Sequence, residues 1–369
     1  MKETRVEKGR ISIIQAMLIL TTIVNTTGIL LAPSITGYYA LSDLWLSPVF
    51  ASLVGFMVLF VAIHLNRYFP GKTVIEYGEK LLGSFIGKII GAVFLLFLLH
   101  SNGIVMREYT EFVGSMFLDD TPFVVIMGGM GLLAAFATRG GIEVLGRLAQ
   151  LFVPFTIFVW AVLLLLTIPS WDVSNILPVL DAGIIPPIRG SLVPQIWYSE
   201  LFLLAFLLPF SKKPESAGKW GALTVIFLTL NLVILDIVSV FVFGNLVPNL
   251  TYPVMSLVRY INIAQFLQHI DALLLIIWVL GVFLKISFIL YCTTLGFSQL
   301  FKLSTFRHLS MPMGFLLVLF GLWAAPNLQT LTVFLKGPAY FYLMTFFVAY
   351  PLLLLGMALI RRKLTGGGS

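Results

Sequence analysis

Residues 12–37 read SIIQAMLILTTIVNTTGILLAPSITG, and the fold is decided by this one segment. It stays apolar for longer than the ~20 residues a helix needs to cross a bilayer. It is also interrupted, with Asn25-Thr26-Thr27-Gly28 in its middle and Pro33 beyond. Backbone groups in hydrocarbon must be paired, so irregular backbone at that depth persists only where it lines a cavity or is packed in protein. Glycine permits the dihedrals of an unwound turn, and Asn and Thr side chains satisfy freed amides. The sequence therefore predicts a broken first span, with Asn25, Thr26, Thr27 and Gly28 as candidate substrate contacts. A blander reading makes Gly28 a close-packing residue.

Nine further apolar segments follow, near 45–66, 84–106, 122–138, 149–169, 190–210, 219–245, 270–298, 311–330 and 338–360. They are long continuous runs, unlike the alternating ten-residue strands of a β-barrel. The chain is 59% hydrophobic and 11% charged, against about 45–50% and about 25% in soluble domains. Its solvent is lipid. The expected fold class is an all-α integral membrane protein of about ten transmembrane helices, forming a single domain over 1–364. No cleavable signal peptide is expected, because the charged stretch Met1–Arg10 runs straight into a span-length segment. Residues 365–369 read as a linker scar.

Charge gives the orientation. With the N-terminus in the cytoplasm, all but five of the 23 Lys and Arg fall on that side; the exceptions are Arg107, Arg189, Arg259, Lys285 and Lys336. Asp43, Asp119, Asp120, Asp172 and Asp181 fall on the other. Both termini are thus expected inside, and the net charge of +7 is a topology signal with no nucleic-acid partner behind it.

A second interruption stands in the sixth span, where Pro194 precedes Gln195-Ile196-Trp197-Tyr198-Ser199-Glu200 and Pro209 closes the run. Five spans separate the two breaks, so the halves 1–169 (spans 1–5) and 190–360 (spans 6–10) enter the bilayer from opposite sides. That is the trace of a five-plus-five inverted repeat with discontinuous helices 1 and 6 around a central site. Trp197, Tyr198, Ser199 and Glu200 join the candidate substrate contacts, although Pro194 could also merely start a helix.

Charged and titratable groups at membrane depth are costly, and each needs a cavity, a partner or neutralisation. Glu200 is read as binding an ammonium group or carrying a proton, or as tying the sixth span to a neighbour. Lys285 shares a helix face with Gly281, Cys292 and Gly296, a small-residue stripe suited to packing in a bundle. It is read as an ion pair with Glu200 or Asp236, or as a fixed cation beside span 1. Asp236 and His100 complete the candidates for ion, proton or charge coupling. Arg107 and Glu111 read as a local i,i+4 pair. Four scattered histidines make no metal site, no cofactor motif is present, and no P-loop, H-E-x-x-H or nucleophilic set signals an enzyme.

The chain resembles the spore germination permease-like family, the B subunits of nutrient germinant receptors in the amino acid–polyamine–organocation superfamily. The likeness rests on many short pieces in order: Gly28 to Pro33, Arg107-x3-Glu111, Thr121-Pro122, Gly140-Gly141-Ile142 with Arg147, and Asn175-x2-Pro178-Val179-Leu180 with Gly183. Glu200, Tyr252-Pro253-x2-Ser256-Leu257 and the Asp271 to Trp278 stretch complete it. Thr26 departs from the pattern, standing where the family often has a second glycine. The resemblance implies a transporter fold that senses a nutrient, an amino acid first, and signals to A- and C-type partner subunits. It also implies the inner membrane of a dormant spore. A working proton-coupled amino-acid permease is the alternative.

Overall fold

The computed structural model describes residues 6–261 and 270–364; the expected linker scar at 365–369, the cations Lys2 and Arg5, and His269 lie outside them. The described residues are helical apart from turns and one isolated bridge between Ile11 and Ser211. In chain order the helices are α1 (Ile13–Ala40), α2 (Ser47–Tyr68), α3 (Val74–Leu82), α4 (Ser84–Met116), α5 (Phe123–Gly140) and α6 (Ile142–Leu166). Then come α7 (Ile185–Gly190), α8 (Leu192–Ser199), α9 (Leu204–Leu207), α10 (Ala217–Phe243), α11 (Pro253–Tyr260) and α12 (Asp271–Leu300). The last four are α13 (Ser310–Ala324), α14 (Leu328–Lys336), α15 (Pro338–Met344) and α16 (Tyr350–Leu364).

Among the described residues, eight helical stretches are long and apolar enough to cross a membrane, and nine if one bent pair counts as a span. The first, Ile13–Tyr68, is 56 residues long, enough for two passes at about 20 residues each. A 3-10 turn at Leu41–Leu46, with Leu41 at φ 48°, separates α1 from α2 inside it. Leu151, Phe155, Phe158 and Leu165 of α6 point outward. So dense an apolar surface belongs against lipid, and the protein is an all-α membrane protein.

Two sequence expectations are corrected. The first span does not unwind at Asn25–Gly28: α1 is one helix from Ile13 to Ala40. Gly28 is absent from the positive-φ glycines, so its conformational freedom goes unused, and its bareness serves packing instead. A Cβ there would stand 3.7 Å from the Trp197 ring and 3.8 Å from Leu232. Pro33 frees only one carbonyl within the turn before it, too little to open the helix. The ninth span, expected as one run, bends by 88° between α13 and α14. Pro326 cannot continue the ladder, and Asn327 starts a new helix by accepting from the Thr330 amide at 2.9 Å.

The sixth span does change character, but at Glu200 and not at Pro194. Pro194 lies in the first turn of α8, where a missing N–H costs little. The α-helix ends at Ser199, tightens to a 3-10 turn over Glu200–Leu203, and resumes in α9. Mid-helix 3-10 segments commonly mark hinges or functional strain.

At the centre stands α12, buried on every side from Leu284 to Gly296. It packs against α1, α4, α5 and α6. Gly281 sets its distance from α1, since a Cβ there would fall 2.6 Å from the Thr26 hydroxyl. Gly131 and Gly314 play the same part between α5 and α13. The segment before α1 is tied down as well. Ile11 donates to Phe210 O at 3.0 Å and accepts from Lys212 at 2.9 Å. Glu7 accepts from the Ile142 amide and the Tyr291 hydroxyl, both at 3.3 Å.

Candidate functional site

The centre of the bundle holds a charge that hydropathy alone would forbid. Lys285 is fully buried, and its Nζ donates to Glu200 Oε2 at 2.7 Å and to Thr27 Oγ1 at 2.8 Å. Three elements meet at one ammonium: α1 through Thr27, the 3-10 turn of the sixth span through Glu200, and α12 through Lys285. Each partner has a local reason for its place. Glu200 begins the 3-10 turn, just after Ser199 turns its hydroxyl back to Ile196 O at 2.6 Å. Lys285 lies one helical turn past Gly281, where α12 comes closest to α1. Taking two charges from water costs several kcal/mol each, and a short ion pair with a further hydroxyl acceptor is the arrangement that offsets it.

A third ionisable group is buried near the pair, and the sequence reading passed over it. Glu108 of α4 is 5% exposed, its Oε1 has no hydrogen-bond partner, and both Lys285 and Glu200 act on it electrostatically. Among the described residues only Glu200 pairs with the ammonium; Glu108 makes no ion pair with it. Glu108 sits between Arg107 and Glu111, which pair at 2.6 Å while Arg107 also donates to Pro326 O at 2.9 Å. The i,i+4 pair drew attention to its own face. The signal available was the burial argument already applied to Glu200, extended one turn deeper along α4.

The other candidates distribute around this core. Trp197 lies against Gly28. Tyr198 shares a hydrogen bond with Thr229 at 2.8 Å and packs on Gly55. Asp236 is buried in α10 with Oδ1 unpartnered, close enough to Tyr198 to act on it but without a bond to Lys285. His100 is off the site, its Nδ1 sharing a 2.8 Å hydrogen bond with Tyr342.

Asn25 and Thr26 face another direction. They line a cavity of about 220 Å³ between α1, α6, α10 and α12. Trp160, Asn231, Trp278 and Gly281 also line it, and none of its lining residues is charged. The Trp278 indole donates to Thr26 O at 2.8 Å, and Asn231 Nδ2 donates to Asn25 Oδ1 at 3.1 Å.

A family model described as "Spore germination protein" matches residues 10–328. Spore germination protein YndE of Bacillus subtilis is 25% identical over 363 residues, covering 96% of this chain and 98% of the relative. Spore germination protein KB of the same organism is also 25% identical, over 97% of this chain and 96% of its own length. Among solved structures, the chain is similar to Mhp1, a nucleobase-cation-symport-1 family transporter in a closed conformation with bromovinylhydantoin bound. The TM-score is 0.69 at 13% identity, over 98% of this chain and 81% of that one. At that identity the likeness concerns the fold, and the fold is a transporter's.

Proposed function

Because the chain belongs to the spore germination protein family, we propose that it is the nutrient-sensing subunit of a spore germinant receptor. Ten spans form two inverted halves, 1–169 and 190–360, of one transmembrane domain. A small germinant, an amino acid first, binds at the centre against Thr27, Gly28 and Trp197–Glu200, and binding is passed to A- and C-type subunits. The chain sits in the spore inner membrane with both termini on the core side, catalyses no reaction and takes no cofactor.

The observation that carries this reading is Lys285 bridging Thr27 and Glu200. Groups from three packed elements hang on one buried ammonium, so a ligand that competes for any of its bonds changes how the three helices sit together. That is what a sensor needs: a local contact with two arrangements and a differential affinity for them. The transporter neighbour, solved with a small molecule bound, supports a small occupant for this fold.

One observation favours the permease reading as well. Glu108 Oε1 is unpartnered near the pair, a place for a proton that moves with a solute, with Asp236 as a further station. A germinant panel separates the two. Spores lacking the gene should lose their response to one nutrient class and regain it on complementation, with no change in uptake of that nutrient by vegetative membranes. Unchanged germination across the panel, together with gene-dependent uptake, would replace the sensor by a permease.

A further inference from the structure

The cavity beside α1 has a chemistry that differs from the ion-paired core, and we propose that it is a site for an uncharged, partly aromatic amide-type molecule that enters from the lipid side. The inference goes beyond the proposed function: it gives Asn25 and Thr26 an uncharged ligand of their own, separate from the amino acid proposed at the ion-paired centre.

Charge is the first discriminator. No Asp, Glu, Lys or Arg lines the cavity, and the Lys285–Glu200 pair is engaged with itself and with Thr27. Because α1 is helical through Asn25–Gly28, it offers no freed row of amides for a carboxylate. An ion entering this space would lose its hydration with nothing in return.

The polar groups that remain are few, and they match one pattern. Thr21, Thr22 and Thr26 turn their hydroxyls back onto their own helix, to Met17 O, Leu18 O and Thr22 O. The bond between Asn231 and Asn25 uses one donor and one acceptor. It leaves Asn25 Nδ2 and Asn231 Oδ1 without partners among the described residues, one donor and one acceptor side by side. Exchanging N and O in both amides leaves the same pair of functions. A carboxamide supplies the complement: N–H for Asn231 and a carbonyl oxygen for Asn25.

Size and access agree. An engineered 150 Å³ apolar cavity holds benzene, so about 220 Å³ takes a six-membered ring with a small polar substituent. The rim carries Ile157, Phe227 and Ile234, all exposed on the outer surface. In a bilayer those side chains meet acyl chains, and the mouth opens into hydrocarbon, a route closed to ions.

Benzamide and benzoate make the test, being nearly isosteric and differing in charge. The full chain in lipid nanodiscs is examined by saturation-transfer NMR, with empty nanodiscs as the blank. Benzamide should show saturable, protein-dependent transfer and benzoate none. Asn231→Leu and Asn25→Leu should each weaken benzamide about tenfold. Equal binding of benzoate, no benzamide binding to the monodisperse wild type, or unchanged affinity in both variants would each overturn the assignment. The readout needs no germination response, so loss of the sensor reading in spores and loss of this site are separable results.

Discussion

A single lysine tells most about this molecule at the scale of residues. Lys285 is charged by type, fully buried by position, and satisfied by two short bonds. Hydropathy made Lys285 and Glu200 visible in the sequence because a central charge costs about 2.5–3.5 kcal/mol on insertion scales. Glu108 escaped notice because it lies in the Arg107–Glu111 segment, where charged side chains near a helix end look ordinary. Gly28 carries a prediction of its own. Its Cβ position is in ordinary contact with Trp197 and Leu232, so Gly28→Ala should fit and gain about 0.5–1 kcal/mol of helix stability. Gly28→Val adds branches that must displace the Trp197 ring, an overpacking cost of about 1–3 kcal/mol. Alanine should keep wild-type protein level and nutrient response, and valine should lower both when measured in spores. A valine variant responding at the wild-type nutrient concentration would remove the Gly28–Trp197 contact from the sensing mechanism.

Elements were legible to the extent that apolar length dictates them. The runs around 84–106, 122–138, 149–169 and 219–245 reappear as α4, α5, α6 and α10, with their ends shifted. What the sequence could not rank was one breaking signal against another. Asn25–Gly28 and Pro33 look like an opening, yet a helix keeps every bond except the one proline removes, and the threonine hydroxyls bond back along it. Pro194 looks like a break and is a start. The 3-10 turn at Glu200–Leu203 carries no glycine or proline, so no residue type announced it. It is held by tertiary contact, with Glu200 drawn to a lysine 85 positions along the chain. The bend after Ala324 did have a local signal, Pro326-Asn327, which the apolar run around it obscured.

The whole molecule adds orientation and coupling. The proposed orientation, drawn from the cation bias, puts the even-numbered loops inside, and single cysteines in a Cys292→Ala background check it. Cysteines at Lys213 and Arg362 should be shielded from an impermeant external thiol reagent, and one at Asp119 should be labelled. The reverse pattern would invert the protein. Coupling is the larger matter, because the proposed sensor works only if Lys285 holds the first span, the sixth span and α12 as one unit. Removing one partner of a buried pair strands the other, at about 3–5 kcal/mol, whereas replacing both by neutral groups of similar size costs much less. The most direct measurement is therefore a double-mutant cycle with Glu200→Gln and Lys285→Met, read as receptor level in the spore membrane and as nutrient response. Each single variant should lose most of the protein, and the double variant should recover the protein while remaining unresponsive. Strictly additive losses, or a double variant that responds like wild type, would contradict the account.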